Sequence, residues 1–231
     1  MRPTRWSYSS LSTWKECPAK YRYSYIDALP EPPSAPMIRG TRLHSLAEDF
    51  MKDPVIPIPY DLKKIGRILD DLRNKTAIAE QTWLAGRNWN HIPAGGDGKA
   101  PPGTWVKAIV DVHWVEPHKR GDILHVHDYK SGREYPPSHR SQLELYSILG
   151  LIKYPSAQRA ESSAIYIDGG YEGCEGSVIR EMLPRLIEKW DADASSMESD
   201  NVFSPTPSSG ACRFCHFHQS EGGPCTVGAP R

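Results

Sequence analysis

The sequence lacks any apolar run approaching the ~18 residues that a membrane-spanning helix needs, which excludes an integral helical membrane protein. Met1 to Ser10 is polar and has no apolar leader segment, so the expected location is the cytoplasm. Net charge is also missing: 28 Lys and Arg balance 28 Asp and Glu. The chain therefore has no overall basic excess, a feature that commonly draws proteins to nucleic acid. No internal repeat is found. Cysteine is scarce, at five residues, and the odd number in a cytoplasmic setting disfavours disulfides and favours metal or catalytic use. At 39% hydrophobic and 24% charged residues, the composition excludes a disordered or fibrous chain. The 231 residues suit one domain of generous size, or a core with appendages.

The balanced charge is unevenly spread. Residues 1–44 carry seven Lys and Arg against three Asp and Glu, and residues 161–231 carry five against eleven. A basic front and an acidic tail still allow a local phosphate-attracting surface.

Periodicity places the elements. Ser9 or Ser10 caps a first helix whose apolar and aromatic face runs through Leu11, Trp14, Pro18, Tyr21 and Tyr25, with Pro18 bending or dividing it. Residues 30–37 hold four prolines and read as an extended linker. Thr41 to Lys52 reads as a helix with His44 and Glu48 on one face, and Asp61 to about Asn74 as another. Thr76 to Trp89 is ambiguous, and Ala94 to Gly103 is a Gly/Pro-rich loop. Trp105 to Val115 and Ile123 to Tyr129 read as strands, His139 to Lys153 as a helix, Ser162 to Ile167 as a strand and Ile179 to Trp190 as a helix. A mixed α/β core with a helical front and a cysteine-rich tail results.

The chemistry centres on the two adjacent strands. Asp111 interrupts the apolar run Ala108 to Val112, while Asp128 and Lys130, two apart, share a strand face. A hairpin centred on Lys119-Arg120 pairs residues whose numbers sum to 239, which sets Asp111 opposite Asp128 with Cβ atoms roughly 4.5–5.5 Å apart. Opposed carboxylates repel, and a divalent cation is the natural compensation. Oxygen ligands suit Mg²⁺ or Mn²⁺, and Lys130 supplies a compact positive charge for orienting a water or stabilising developing negative charge. A slip of one residue in the register would turn Asp111 to the other face.

These residues resemble the PD-(D/E)XK nucleases, specifically the RecB-like exonuclease branch that carries an iron–sulfur cluster. That branch includes the CRISPR-associated four-cysteine nucleases, the AddB nuclease domain and many phage exonucleases. The resemblance runs through nearly the whole chain: Ser7-Tyr8-Ser9 with Cys17-Pro18 and Tyr21; Arg39-Gly40 with Leu43-His44; Asp111 after Ile109-Val110; Asp128-Tyr129-Lys130-Ser131-Gly132; Gln142 with Tyr146; and Cys212-Arg213-Phe214-Cys215 with Cys225. It implies a restriction-endonuclease-like core over 76–200, an N-terminal helical region over 1–75 carrying Cys17 and His44, and a metal-cluster tail over 201–231, integrated into one domain. It implies that His44, Asp111, Asp128 and the Tyr129 carbonyl bind Mg²⁺ or Mn²⁺ and that Lys130 activates the nucleophilic water. Gln142 and Tyr146 would position the DNA strand, and their i, i+4 spacing independently sets them on one helix face. Some members add a glutamate on the preceding strand. Glu80 is the candidate, but its irregular surroundings leave it outside the expected site.

Cys212 and Cys215 with two residues between them, and Cys225 after nine intervening residues, form a metal motif that wants a fourth ligand. The resemblance assigns that place to Cys17, which would staple the first helix to the tail. Four thiolates suit a [4Fe–4S] cluster or Zn²⁺, and His216 or His218 could replace a cysteine in a zinc site. The resemblance favours iron–sulfur. Cys174, in a Gly/Glu-rich stretch, reads as a free thiol.

The function so implied is a DNA exonuclease acting on single-stranded ends with 5′→3′ polarity, in phage or prokaryotic recombination, replication or repair, with recombination or CRISPR-adaptation proteins as partners. The alternatives are a non-catalytic DNA- or protein-binding module with a degenerate nuclease core and a structure-specific endonuclease.

Overall fold

The computed structural model describes residues 5–96 and 100–229. Residues 97–99, within the loop expected over Ala94–Gly103, lie outside the described residues. The chain divides into two compact units, residues 33–187 and residues 1–32 with 188–231.

In the larger unit, helix α3 (Ala35–Lys52) begins six residues earlier than periodicity suggests. The Ser34 side chain caps it by accepting the Met37 N–H, and Pro36 falls in the first turn, where a missing N–H costs nothing. The end of the proline-rich linker is thus helical. A 3₁₀ turn (Tyr60–Ile65) leads into helix α4 (Gly66–Asn74). Strands β1 (Ile78–Ala85), β2 (His91–Ile92), β3 (Val106–Glu116), β4 (Asp122–Lys130), β5 (Ala157–Tyr166) and β6 (Tyr171–Ile179) form one sheet in the order β2-β1-β3-β4-β5-β6. All neighbours are antiparallel except β4 and β5. Parallel neighbours need a crossover, and helix α5 (Pro136–Lys153) supplies it.

The two sheet faces are covered differently. Leu43, Ala47 and Phe50 of α3 and Leu69 and Leu72 of α4 form a dry core with Val112, Trp114, Tyr129 and Ile165. Alternation sends the side chains of Asp111 and Asp128 to the other face, where Leu143 of α5 packs on Ala164 and Tyr166. Close approach of α5 needs Gly150: a Cβ there would lie 2.3 Å from Leu124 Cδ2 and 2.8 Å from Trp83 Cζ3.

Strand β6 was not visible in the sequence. Its Gly/Glu-rich composition suggests a loop, yet it pairs along β5 as an edge strand with a register shift near Cys174, whose φ is 57°. Strand pairing overrides weak intrinsic propensity here.

In the smaller unit, helices α1 (Tyr8–Glu16) and α2 (Pro18–Tyr21) are divided at Cys17-Pro18. The cap of α1 is Ser7, reciprocally bonded with Ser10, rather than Ser9 or Ser10 itself. Helix α6 (Leu183–Ser199) brings Trp190 into a stack on Trp6 with centroids 6.1 Å apart. Trp14 Nε1 donates to Asp200. The short helix α7 (Ser209–Arg213) opens the cysteine-rich tail. No helix among the described residues is long and apolar enough to cross a membrane.

Candidate functional site

The β3–β4 register is the one that sums to 239: Val112 faces His127 and Trp114 faces His125. Carried one residue further, it sets Asp111 opposite Asp128. Their proximity is felt electrostatically. Burial first, offset by Lys130 and reinforced by the Asp111 charge, pushes the Asp128 carboxyl up to about 6. Asp128 is 3% exposed, so this charge sits in low dielectric.

Each carboxylate oxygen has a distinct neighbour. Asp111 Oδ2 accepts the Tyr129 backbone N–H at 2.7 Å, and Asp111 Oδ1 lies 3.2 Å from His44 Nδ1. Asp128 Oδ1 accepts from Gln142 Nε2 at 3.1 Å. Asp128 Oδ2, which is buried, lies 2.5 Å from Lys130 Nζ and pairs with that ammonium. Lys130 Nζ also directs a hydrogen bond of 2.7 Å to Gln142 Oε1. Gln142 Nε2 also donates to the Tyr146 hydroxyl at 2.7 Å. One amide therefore ties both halves of the Asp128–Lys130 pair to α5 and Tyr146.

A family profile described as the PD-(D/E)XK nuclease superfamily matches residues 5–220. The chain belongs to this superfamily. Its mixed six-stranded sheet flanked by helices is consistent with the restriction-endonuclease-like fold, and membership carries nuclease chemistry, usually with Mg²⁺ or Mn²⁺, on a nucleic-acid substrate. No curated protein matches the chain. Among solved structures, one titled "Crystal structure of SSO0001" shares 18% identity over 100% of this chain and 90% of that one, with a TM-score of 0.42.

Within the superfamily frame, His44 extends from α3 with its ring edge-on to Tyr129, centroids 5.8 Å apart. Burial pulls its pKa down, but the hydrogen bond and charge of Asp111, with Asp128, overcome this and leave it raised. The Tyr129 phenol is buried in the dry core, while its backbone amide lies at Asp111. Of the seven residues singled out on this unit, His44, Asp111, Asp128, Tyr129, Lys130 and Gln142 are linked through these contacts, with Tyr146 bonded behind Gln142.

Two further acids come in. Residues Ala79 and Gln81 of β1 pair with Val112 and Val110, leaving Glu80 across from Asp111. Glu80 has a φ of 44°, an unusual value for a non-glycine residue. Its carboxyl bonds to that of Glu48, one turn beyond His44 on α3. The Glu48 bond, burial, and the charges of Glu48 and Asp111 push Glu80 up to about 7. Glu48 is held low by the same bond and by Lys52. The i, i+4 spacing of His44 and Glu48 was a usable signal; the left-handed turn at Glu80 was not.

The donor set fits a hard divalent cation. It offers an imidazole and two carboxylates on adjacent strands. Among the described residues no three His, Cys, Asp or Glu side chains form a ready coordination group. The carboxylates are instead paired with His44 and Lys130.

In the smaller unit, Cys17, Cys212, Cys215 and Cys225 line one small pocket of about 20 Å³ together with His218. The Thr206 N–H reaches Cys17 Sγ at 3.5 Å, and the Ala229 N–H reaches Cys212 Sγ at 3.3 Å. Burial, with the Cys225 and Cys17 sulfurs nearby, raises the Cys215 pKa. His218 Nε2 is buried without a hydrogen-bond partner, whereas His216 does not line the pocket. Cys174, in the larger unit, directs its thiol to the Pro136 carbonyl at 3.4 Å.

Proposed function

We propose that the chain is a metal-dependent DNA exonuclease that digests single-stranded ends with 5′→3′ polarity. The observation that carries the hydrolytic reading is the pair Asp111 and Asp128 on adjacent strands, with Lys130 against the buried Asp128 carboxylate. His44, Asp111, Asp128 and the Tyr129 carbonyl would hold Mg²⁺ or Mn²⁺. The cation supplies Lewis-acid polarisation of a phosphoryl oxygen and a more acidic water. Lys130, fixed by Gln142, orients the attacking water and offsets charge building on the phosphate. Gln142 and Tyr146 position the strand at this point. Strand preference, polarity and a setting in phage or prokaryotic recombination, replication or repair, beside recombination or CRISPR-adaptation proteins, rest on the sequence resemblance to the RecB-like branch. So does the division into a helical front (1–75), a nuclease core (76–200) and a metal-cluster tail (201–231).

We further propose that Cys17, Cys212, Cys215 and Cys225 hold a structural metal centre, by the same resemblance a [4Fe–4S] cluster. Two backbone N–H groups aimed at sulfur and the convergence of all four residues on one pocket support a thiolate centre. Absorption near about 400 nm in anaerobically purified protein identifies the cluster; a colourless protein carrying one zinc refutes it.

The activity test uses single strands labelled at the 5′ or 3′ end and a circular single strand, with Mn²⁺ or Mg²⁺. Release of short products from the 5′ end, no cut in the circle, and loss of that release in Asp128→Ala and Lys130→Ala are expected. Cleavage of the circle makes it an endonuclease. Equal cleavage by all three proteins overturns the site, and retained binding without cleavage makes the chain a binding module.

A further inference from the structure

A large cleft lies on the opposite sheet face from Lys130 and Gln142. It has a volume of about 590 Å³, within the range of small-ligand sites, and runs between the C-terminal half of α4 and the uncovered faces of β3 to β6. One cross-strand row explains its floor. Trp114 faces His125, His125 faces Glu161, and Glu161 faces Ser177, so all four side chains point the same way. The Trp114 indole lies parallel to both His125 and His127, with centroids 4.3 and 5.0 Å away. A buried sheet face in an α/β core is normally apolar; this one is polar and open.

The cleft is rich in acceptors. Asp71, Glu161, Glu172 and Glu175 line it, against one lysine, Lys75. Four carboxylates repel phosphate, so this is no extension of a DNA track. A second, independent feature comes from His127, a buried residue on the same lining. The Ser163 hydroxyl donates to Glu172 Oε2 at 3.0 Å. It must therefore accept from His127 Nδ1, 2.8 Å away, which fixes the proton on Nδ1. His127 Nε2 is left as a bare acceptor, and it has no partner. A third feature shows what the floor accepts: the Lys75 ammonium lies 4.6 Å from the centroid of the Trp114 ring.

We propose that this cleft binds a linear aliphatic polyamine, its ammonium groups spaced along Glu161, Glu172, Glu175 and Asp71 over the Trp114 face. Alkylammonium groups supply donors to Asp71 and Glu175 and add to those that Glu161 and Glu172 receive from Arg159 and Ser163. Lysine side chains of a basic protein share that chemistry, but a cleft of about 590 Å³ matches a small molecule. The site is separate from the nuclease reading and stands or falls without it.

The test is calorimetric titration of the full-length protein with spermidine, without divalent cations or DNA. One site is expected. Glu161→Gln with Glu172→Gln should weaken it at least tenfold, and Lys75→Gln, which removes the internal competitor, should tighten it severalfold. Asp111→Asn should leave it unchanged. Absence of binding, equal binding by the double variant, or loss of binding in Asp111→Asn overturns the proposal. So does a lysine-rich peptide that binds tenfold more tightly than spermidine, since a protein partner is then the occupant. Circular dichroism of the double variant verifies its fold; an unfolded double variant passes the decision to Trp114→Phe, which should weaken binding severalfold and, at wild-type affinity, also overturns it.

Discussion

Asp128 offers a measurable trade between stability and function. Its carboxyl is buried beside Asp111, and its pKa rises from 3.8 to about 6. Because the folded pKa is raised, the native state holds a proton that the unfolded chain releases. The protein is then relatively most stable below the unfolded value and loses stability as pH climbs through about 4 to 6. At roughly 1.4 kcal/mol per tenfold, the loss is about 3 kcal/mol. No discount for solvent screening applies, since the side chain is fully shielded. Asp128→Asn cannot ionise, so its stability relative to wild type should improve by about 3 kcal/mol between pH 4 and pH 8. Any pH-independent cost of the substitution cancels from that difference. For a chain of this length the same change is about 6–12 °C in melting temperature. Urea unfolding at several pH values, without divalent cations, measures it. A divalent cation should then raise the wild-type melting temperature at pH 8 and leave Asp128→Asn little changed, because binding to the ionised pair offsets the penalty. Parallel pH profiles for the two proteins would refute the buried, Asp111-coupled charge.

Three further outcomes follow from the site. Glu80, raised to about 7 by its bond to Glu48, loses its proton as pH rises past neutrality and adds negative charge beside Asp111; Mn²⁺ affinity measured by calorimetry should increase from pH 6 to pH 8, and Glu80→Gln should flatten that increase. Gln142→Leu removes the bonds to Lys130, Asp128 and Tyr146 and should lower kcat about 10- to 100-fold, from about 1–3 kcal/mol of lost charged hydrogen bonds, with normal thermal unfolding; an unchanged kcat would show that the amide does not order the site. Removing the metal from the cysteine centre, or Cys215→Ser, should lower the melting temperature and weaken DNA binding; apo protein that keeps both would show the centre is not structural.

Much of the site is written in short-range sequence. The D-x-K spacing puts Asp128 and Lys130 on one face because strand side chains alternate, and Gln142 and Tyr146 share a helix face because of the i, i+4 repeat. The hairpin register follows once the turn is centred on Lys119-Arg120, and Val112 does face His127. Segment ends were less legible where the rules conflict. Prolines in a first helical turn look like a linker, and glycines in an edge strand look like a loop, so the start of α3 and all of β6 were invisible.

What the sequence by itself determined is therefore the pair of opposed acids, their lysine and the helix face above them, since each depends on contacts near in the chain. What only the tertiary structure decided is which distant residues join them. Glu80 meets Glu48 and Asp111 because a left-handed turn in β1 and the packing of α3 on the sheet bring them together. The acceptor-lined cleft exists because four strands and α4 leave one polar sheet face uncovered. Neither arrangement has a local signature, because the physical cause in each case is the packing of elements tens of residues apart.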